Sequence, residues 1–140
     1  MILLDTNVIS EIMRLRPAPA VTAWLRTRPR KEFWTASVVI AELLSGVELM
    51  SAGRKQKTLR ESIEAMIVED FRGQILKFDV PAARHYGQIL ATRKGRGRPI
   101  REMDALIAAT ALANGAALAT RNTADFEDCG LQLLDPWNAI

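Results

Sequence analysis

The chain has 140 residues, of which 49% are hydrophobic and 25% charged, and its net charge is +3. That length fits one domain, and that apolar fraction excludes an intrinsically disordered chain. A lone cysteine, Cys129, excludes an intrachain disulfide framework, and no apolar run approaches the ~20 residues that span a bilayer.

The run Ile2-Leu3-Leu4 predicts a short buried strand ending at Asp5, with Thr6 or Asn7 as N-cap of the helix that follows. That helix runs through Val8, Ile9, Ile12 and Met13 and stops before Pro17. A second covers residues 19–27, with Val21, Trp24 and Leu25 on one face, and Pro29 breaks it. Residues 33–36 are β-prone and predict a second strand. Ser37 reads as the N-cap of a helix reaching about Met50. Leu59, Ile63, Met66 and Ile67 share one face of a helix over residues 54–71. Residues 75–78 predict a third strand, and Asp79-Val-Pro81 opens a helix to about Arg93. Residues 94–99 read as a basic, glycine-rich loop. A strongly apolar helix spans residues 103–113 and is stopped by Asn114-Gly115. A fourth strand covers residues 117–120, a short turn holds Asp125 and Phe126, and residues 132–134 suggest a fifth strand. Short apolar strands alternating with helices predict one α/β domain over residues 1–140. Its parallel sheet of four to five strands is expected to carry helices on both faces.

Charge is clustered. Most of the 19 basic residues fall within residues 26–31, 54–60 and 93–101. Each cluster is explained either by solvated helix ends or by contact with a polyanion. Three acids lie outside them in apolar surroundings. Asp5 follows a strand, Glu42 sits in Val38-Val-Ile-Ala-Glu42-Leu-Leu, and Asp104 opens an apolar helix. Singly, these read as a turn or capping aspartate, a glutamate paired with an arginine, and a first-turn aspartate favoured by the helix dipole. Together they read as isolated carboxylates on elements of one sheet. Convergent carboxylates stay ionised only with a cation among them. Oxygen ligands select a hard ion such as Mg²⁺ or Mn²⁺. With one histidine, His85, and one cysteine, a zinc site of the usual kind is excluded. His85 itself reads as a structural residue. No Ser-His-Asp set, cysteine nucleophile or P-loop is present, which leaves metal-activated water attacking a phosphodiester.

Three segments then resemble a known family. They are Leu3-Leu-Asp-Thr-Asn-Val-Ile-Ser10, Ala41-Glu-Leu-Leu-Ser-Gly46, and Gly97-Arg-Pro-Ile-Arg-Glu-Met-Asp104 with Leu118-Ala-Thr-Arg-Asn122-Thr-Ala-Asp-Phe126. In order and spacing the chain resembles the PIN-domain ribonucleases, specifically the VapC/FitB-like toxins of type II toxin–antitoxin pairs. The resemblance implies that Asp5, Glu42 and Asp104 are catalytic, binding Mg²⁺ or Mn²⁺ for hydrolysis of RNA. It implies that Thr6 or Asn7 orients Asp5 and that Thr120 borders the site. It also implies a homodimer and an antitoxin partner, through which alone operator DNA is bound. Many relatives carry a fourth acid where this chain has Asn122. Asp125 is the nearby substitute, or else a capping aspartate beside Phe126. For substrate contact, Arg93, Lys94, Arg96, Arg98 and Arg101 are expected to meet RNA phosphates. The other class of function is a non-catalytic PIN-like domain that binds RNA or a partner. A phosphatase or receiver domain fits least, because position 7 is asparagine where a haloacid-type phosphatase wants aspartate. No signal sequence or membrane segment is read, so a cytoplasmic protein is expected.

Overall fold

The structure is a computed structural model that describes residues 1–139. In these residues five strands form one parallel sheet. They are β1 (Ile2–Leu4), β2 (Phe33–Ala36), β3 (Ile75–Leu76), β4 (Ala117–Ala119) and β5 (Leu133–Leu134). Their order across the sheet is β3-β2-β1-β4-β5. Ile2 aligns with Phe33 on one side and with Ala117 on the other, so β1 is central. Successive strand residues point to opposite faces, and Ile2, Leu3 and Leu4 are all buried, so both faces of the sheet are covered.

The helices are α1 (Thr6–Ile12), α2 (Pro19–Leu25), α3 (Ser37–Glu48), α4 (Arg54–Ala65), α5 (Val80–Gly95) and α6 (Glu102–Ala113). No helix among the described residues is long and apolar enough to cross a membrane. The sheet first grows from β1 through β2 to β3, then returns to the other side of β1 with β4 and β5. The order therefore reverses between β1 and β4, and the crevice beyond their carboxyl ends is where α/β sheets bind ligands. Asp5 and Thr120 immediately follow these two strands. The Asp5 N–H donates to the Ala119 carbonyl at 2.9 Å, which carries the β1–β4 ladder to the edge of the crevice.

Local expectations were mostly met, with informative exceptions. The N-cap of α1 is Asp5, not Thr6 or Asn7: its carboxylate accepts from the Thr6 N–H. Ser37 is the first residue of α3, following an extended Ala36 that makes no side-chain cap. The helix expected over residues 54–71 is α4 followed by a π turn, Met66–Asp70. The third strand is confined to Ile75–Leu76. Helix α5 extends into the expected basic loop as far as Gly95. At the end of α6 only Gly115 takes the left-handed conformation, with φ of 63°. Its N–H bonds the Leu112 carbonyl at 3.1 Å, and the Ala116 N–H bonds that of Ala111 at 3.0 Å, so this is a Schellman stop.

Candidate functional site

Three elements deliver the three acids to one cavity of about 490 Å³ at this crevice. The end of β1 supplies Asp5, the first half of α3 supplies Glu42, and the first turn of α6 supplies Asp104. Asp5 is 4% exposed and held from several sides. Its Oδ1 accepts the Thr6 N–H at 2.8 Å. Its Oδ2 accepts the Thr120 hydroxyl at 2.7 Å and the Asn7 amide at 3.2 Å. Burial still pushes its pKa up to about 6, against these donors and reinforced by the charges of Asp104 and Glu42. Asp104 is raised as well, first by burial, with Asp125 and Glu42 adding to the shift and Arg101 opposing it.

Glu42 accepts a hydrogen bond from the Thr6 hydroxyl. An Arg101 nitrogen lies 3.9 Å from its carboxylate. Its side chain is 28% exposed, so it is partly rather than wholly buried despite the apolar residues around it in the sequence. Helix α3 leaves Ala41, Ser45 and Gly46 exposed, and Glu42 borders that open side. The sequence pattern, apolar nearly all round, concealed this.

Thr6, Asn7 and Thr120 thus touch the acids directly. Thr6 bonds both Asp5 and Glu42, while the Asn7 amide donates to both Asp5 and Thr120. Asn122 lines the cavity, and its N–H donates to the Thr120 hydroxyl at 3.1 Å. Asp125 is exposed on a short 3-10 turn, Thr123–Phe126, outside the cavity lining. It reaches Asp104 only through its charge. His85 borders a separate small cavity with Cys129.

The donor set of the acid cavity consists of carboxylate, amide and hydroxyl oxygens, with no imidazole or thiol among its lining residues. That chemistry suits a hard divalent cation. Among the described residues no three acidic, histidine or cysteine side chains are already drawn together as a ligand shell. Asp5 is turned to Thr6 and Thr120, and Glu42 to Thr6 and Arg101, so the acids share the cavity without closing on a point.

The basic segment divides. Arg93 was expected at RNA but is buried, at 5% exposure. Its guanidinium donates to the carbonyls of Arg98, Asp125 and Glu127 at 2.7, 2.7 and 3.0 Å. A run of basic residues in the sequence cannot reveal which one turns inward. Arg93 ties the end of α5 to the loop before α6 and to the segment after Asn122. Arg93→Met is therefore expected to lower the unfolding free energy by about 3 kcal/mol, because it strands three carbonyls. Urea denaturation measures this, and a change of a few tenths would refute it. Arg96 pairs with Asp128 at 2.6 Å and Arg98 with Glu127 at 2.8 Å. Lys94 is exposed, and only Arg101 of this segment lines the acid cavity.

Five further lining residues escaped the sequence reading: Ser10, Glu11, Arg14, Arg121 and Trp137. Glu11 lies one helical turn beyond Asn7, a spacing that could have revealed it. It is buried and accepts the Ala18 N–H at 2.9 Å and Arg14 at 3.2 Å, contacts that hold its carboxyl below the usual range. Arg121 directly follows Thr120, whereas Trp137 comes from a distant part of the chain and had no local signal.

The PIN domain profile matches residues 2–130. Toxin FitB of Neisseria gonorrhoeae is 41% identical over 138 residues, covering 99% of each chain. A VapC ribonuclease of Sinorhizobium fredii is 38% identical over 137 residues, covering 98% of each. A solved structure of FitAB bound to a DNA fragment superposes with a TM-score of 0.90 at 39% identity, covering 100% of this chain and 98% of that one. The chain belongs to the PIN-domain family, in its VapC/FitB-like branch.

Proposed function

We propose that the chain is the toxin of a toxin–antitoxin pair, a cytoplasmic endoribonuclease that uses Mg²⁺ or Mn²⁺ to hydrolyse RNA phosphodiester bonds. The observation behind this reading is the convergence of Asp5, Glu42 and Asp104 on one cavity where the sheet order reverses. The names of the relatives, VapC ribonuclease and toxin FitB, agree with it.

Asp5, Glu42 and Asp104 are the residues that hold the cation, with the Asn122 carbonyl oxygen at the edge and Asp125 outside. A bound divalent ion supplies charge that makes water more acidic and offsets the charge of the phosphate oxygens. The protein's own contribution is orientation. Thr6 and Thr120 fix the two oxygens of Asp5, and Thr6 also turns Glu42 inward. Arg101 stands beside Glu42 and offers charge to a substrate phosphate. Lys94, on the same basic segment, extends that field along the RNA, whereas Arg96 and Arg98 are largely offset by Asp128 and Glu127. Asn122 brings an oxygen but no charge where many relatives have an acid, so one cation is held more firmly than a second.

An antitoxin is the partner, and operator DNA is bound only through it, as the FitAB–DNA complex suggests by analogy. A groove of about 510 Å³ beside the acids supports this reading. It offers Met13, Leu43, Val47, Met50, Leu59 and Ile63, and it shares Thr6, Arg14 and Glu42 with the acid cavity. A segment lying there can reach the carboxylates. The active form is a homodimer.

Purified, partner-free protein is expected to cut defined RNAs internally in Mg²⁺ or Mn²⁺ and to stop in excess EDTA. Mapping of the new ends checks this. RNA left intact with both metals would turn the reading to a non-catalytic PIN-like binding domain.

A further inference from the structure

Three arginines line the acid cavity, and their charges are engaged differently. Arg14 lies 3.2 Å from both oxygens of Glu11, and Arg101 stands 3.9 Å from Glu42. Arg121 is exposed and forms no ion pair among the described residues. Its guanidinium lies over the Trp137 indole, 5.0 Å from the ring centroid, and its backbone N–H donates to the Asn7 side chain at 3.1 Å. Asn7 in turn bonds Asp5. The residue is thereby fixed at both ends, by an aromatic face and by the network that orients a site acid. A planar guanidinium resting on a ring loses less freedom when it meets an anion, because it is already ordered. The stack leaves its edge N–H groups available, and those groups match a phosphate in a fork.

We propose that Arg121 is a substrate-binding residue that grips an RNA phosphate next to the scissile bond, and that Trp137 is the positioning residue that holds it there. The proposal rests on the ribonuclease reading of the same cavity. It divides the work by charge: acids deep in the cavity take the cation, and a stacked cation at the rim takes the flanking phosphate. Arg14 does this less readily, because Glu11 holds it in an ion pair at 3.2 Å, whereas Arg121 meets Glu11 only through its charge.

The test uses full-length, partner-free protein and a short, labelled single-stranded RNA. Affinity is read by fluorescence anisotropy in EDTA across a salt series, and cleavage is read separately in Mg²⁺. Arg121→Ala is expected to weaken binding about tenfold and to reduce the salt slope by about 0.7, as for one lost phosphate contact on a single strand. It should raise KM more than it lowers kcat. Arg121→Lys keeps the salt slope but recovers only part of the affinity. Trp137→Phe retains an aromatic face and stays near wild type, while Trp137→Ala loses about as much as Arg121→Ala. The double variant Arg121→Ala/Trp137→Ala is no weaker than either single change, because the two act as one unit. Circular dichroism checks each fold, and Trp137→Phe against Arg121→Ala decides the matter should Trp137→Ala fail to fold. Wild-type affinity and slope in Arg121→Ala, or additive losses in the double variant, would overturn the proposal while wild-type cleavage keeps the ribonuclease reading alive. Wild-type protein that binds RNA through Arg121 without cutting it would remove the ribonuclease reading and leave the phosphate grip. Wild-type protein that neither binds RNA in EDTA nor cuts it in Mg²⁺ would remove both, whereas cleavage without binding in EDTA would remove the phosphate grip alone.

Discussion

Asp104→Asn is expected to reduce metal-dependent RNA cleavage by about 10³-fold or more while leaving the fold intact. A cation at a phosphoryl centre supplies several kcal/mol of charge stabilisation, and each 1.4 kcal/mol corresponds to about tenfold in rate. Asp104 separates function from stability better than its neighbours do. The shift of its carboxyl arises from burial and from surrounding charges, with no hydrogen bond among the causes. Replacing the carboxylate with an amide of the same shape therefore costs no visible contact, and it removes a charge that burial disfavours. The melting temperature of the metal-free variant should equal or slightly exceed that of the wild type. Asp5→Asn should be equally inactive but less clean, since it disturbs acceptors for Thr6, Thr120 and Asn7. The measurement is single-turnover cleavage of a defined RNA in saturating Mg²⁺, with thermal melts alongside. Undiminished cleavage by both variants would end the assignment of this cavity as the catalytic site.

The fold was readable because its strands are short, apolar and separated by helical periodicity. Ile2-Leu3-Leu4 had no polar alternation, which is the mark of a strand covered on both faces, and it lies at the centre of the sheet. The acids were readable for a related reason: a charged residue on an apolar element needs a partner that the sequence does not provide nearby. What stayed hidden was long-range. Asp5 was read as a site acid or, singly, as a capping aspartate, and it is both; Thr6 and Asn7, the residues read as N-cap of α1, lie inside the helix that Asp5 caps. Arg93 sat in a run of five basic residues, and only the packing of α5 against the segment after Asn122 decides that it turns inward. Trp137 reaches Arg121 through the placement of residues beyond β5, which no local pattern encodes.

Metal-free protein should lose stability as pH rises from about 4 to about 6, and a divalent cation should restore it. The sign follows from Asp5. Its pKa in the folded chain is about 6, above the ordinary 3.8, so the folded state binds more protons than the unfolded state across that interval. Stability from this group is fully present below about pH 4 and lost as pH climbs through about 6. The shift corresponds to about 3 kcal/mol by neutral pH at 1.36 kcal/mol per unit. Asp104 is raised too and works in the same direction. Glu11 works in the opposite direction at lower pH: the Ala18 N–H and Arg14 hold its carboxyl down, so its contribution disappears on acidification below the ordinary glutamate range. The metal-free stability profile should therefore peak in mildly acid solution and decline toward neutrality. A cation held among Asp5, Glu42 and Asp104 reverses the decline, because ionised carboxylates become its ligands. At a concentration 100 times its Kd it adds ~2.7 kcal/mol. Urea denaturation in EDTA and in Mg²⁺ across this pH range measures both effects, with Asp5→Asn expected to flatten the metal-free slope. A flat or rising profile in EDTA would contradict the burial of an unneutralised Asp5. A falling profile that Mg²⁺ and Mn²⁺ leave unchanged would keep that burial but dismiss the cation from this cavity.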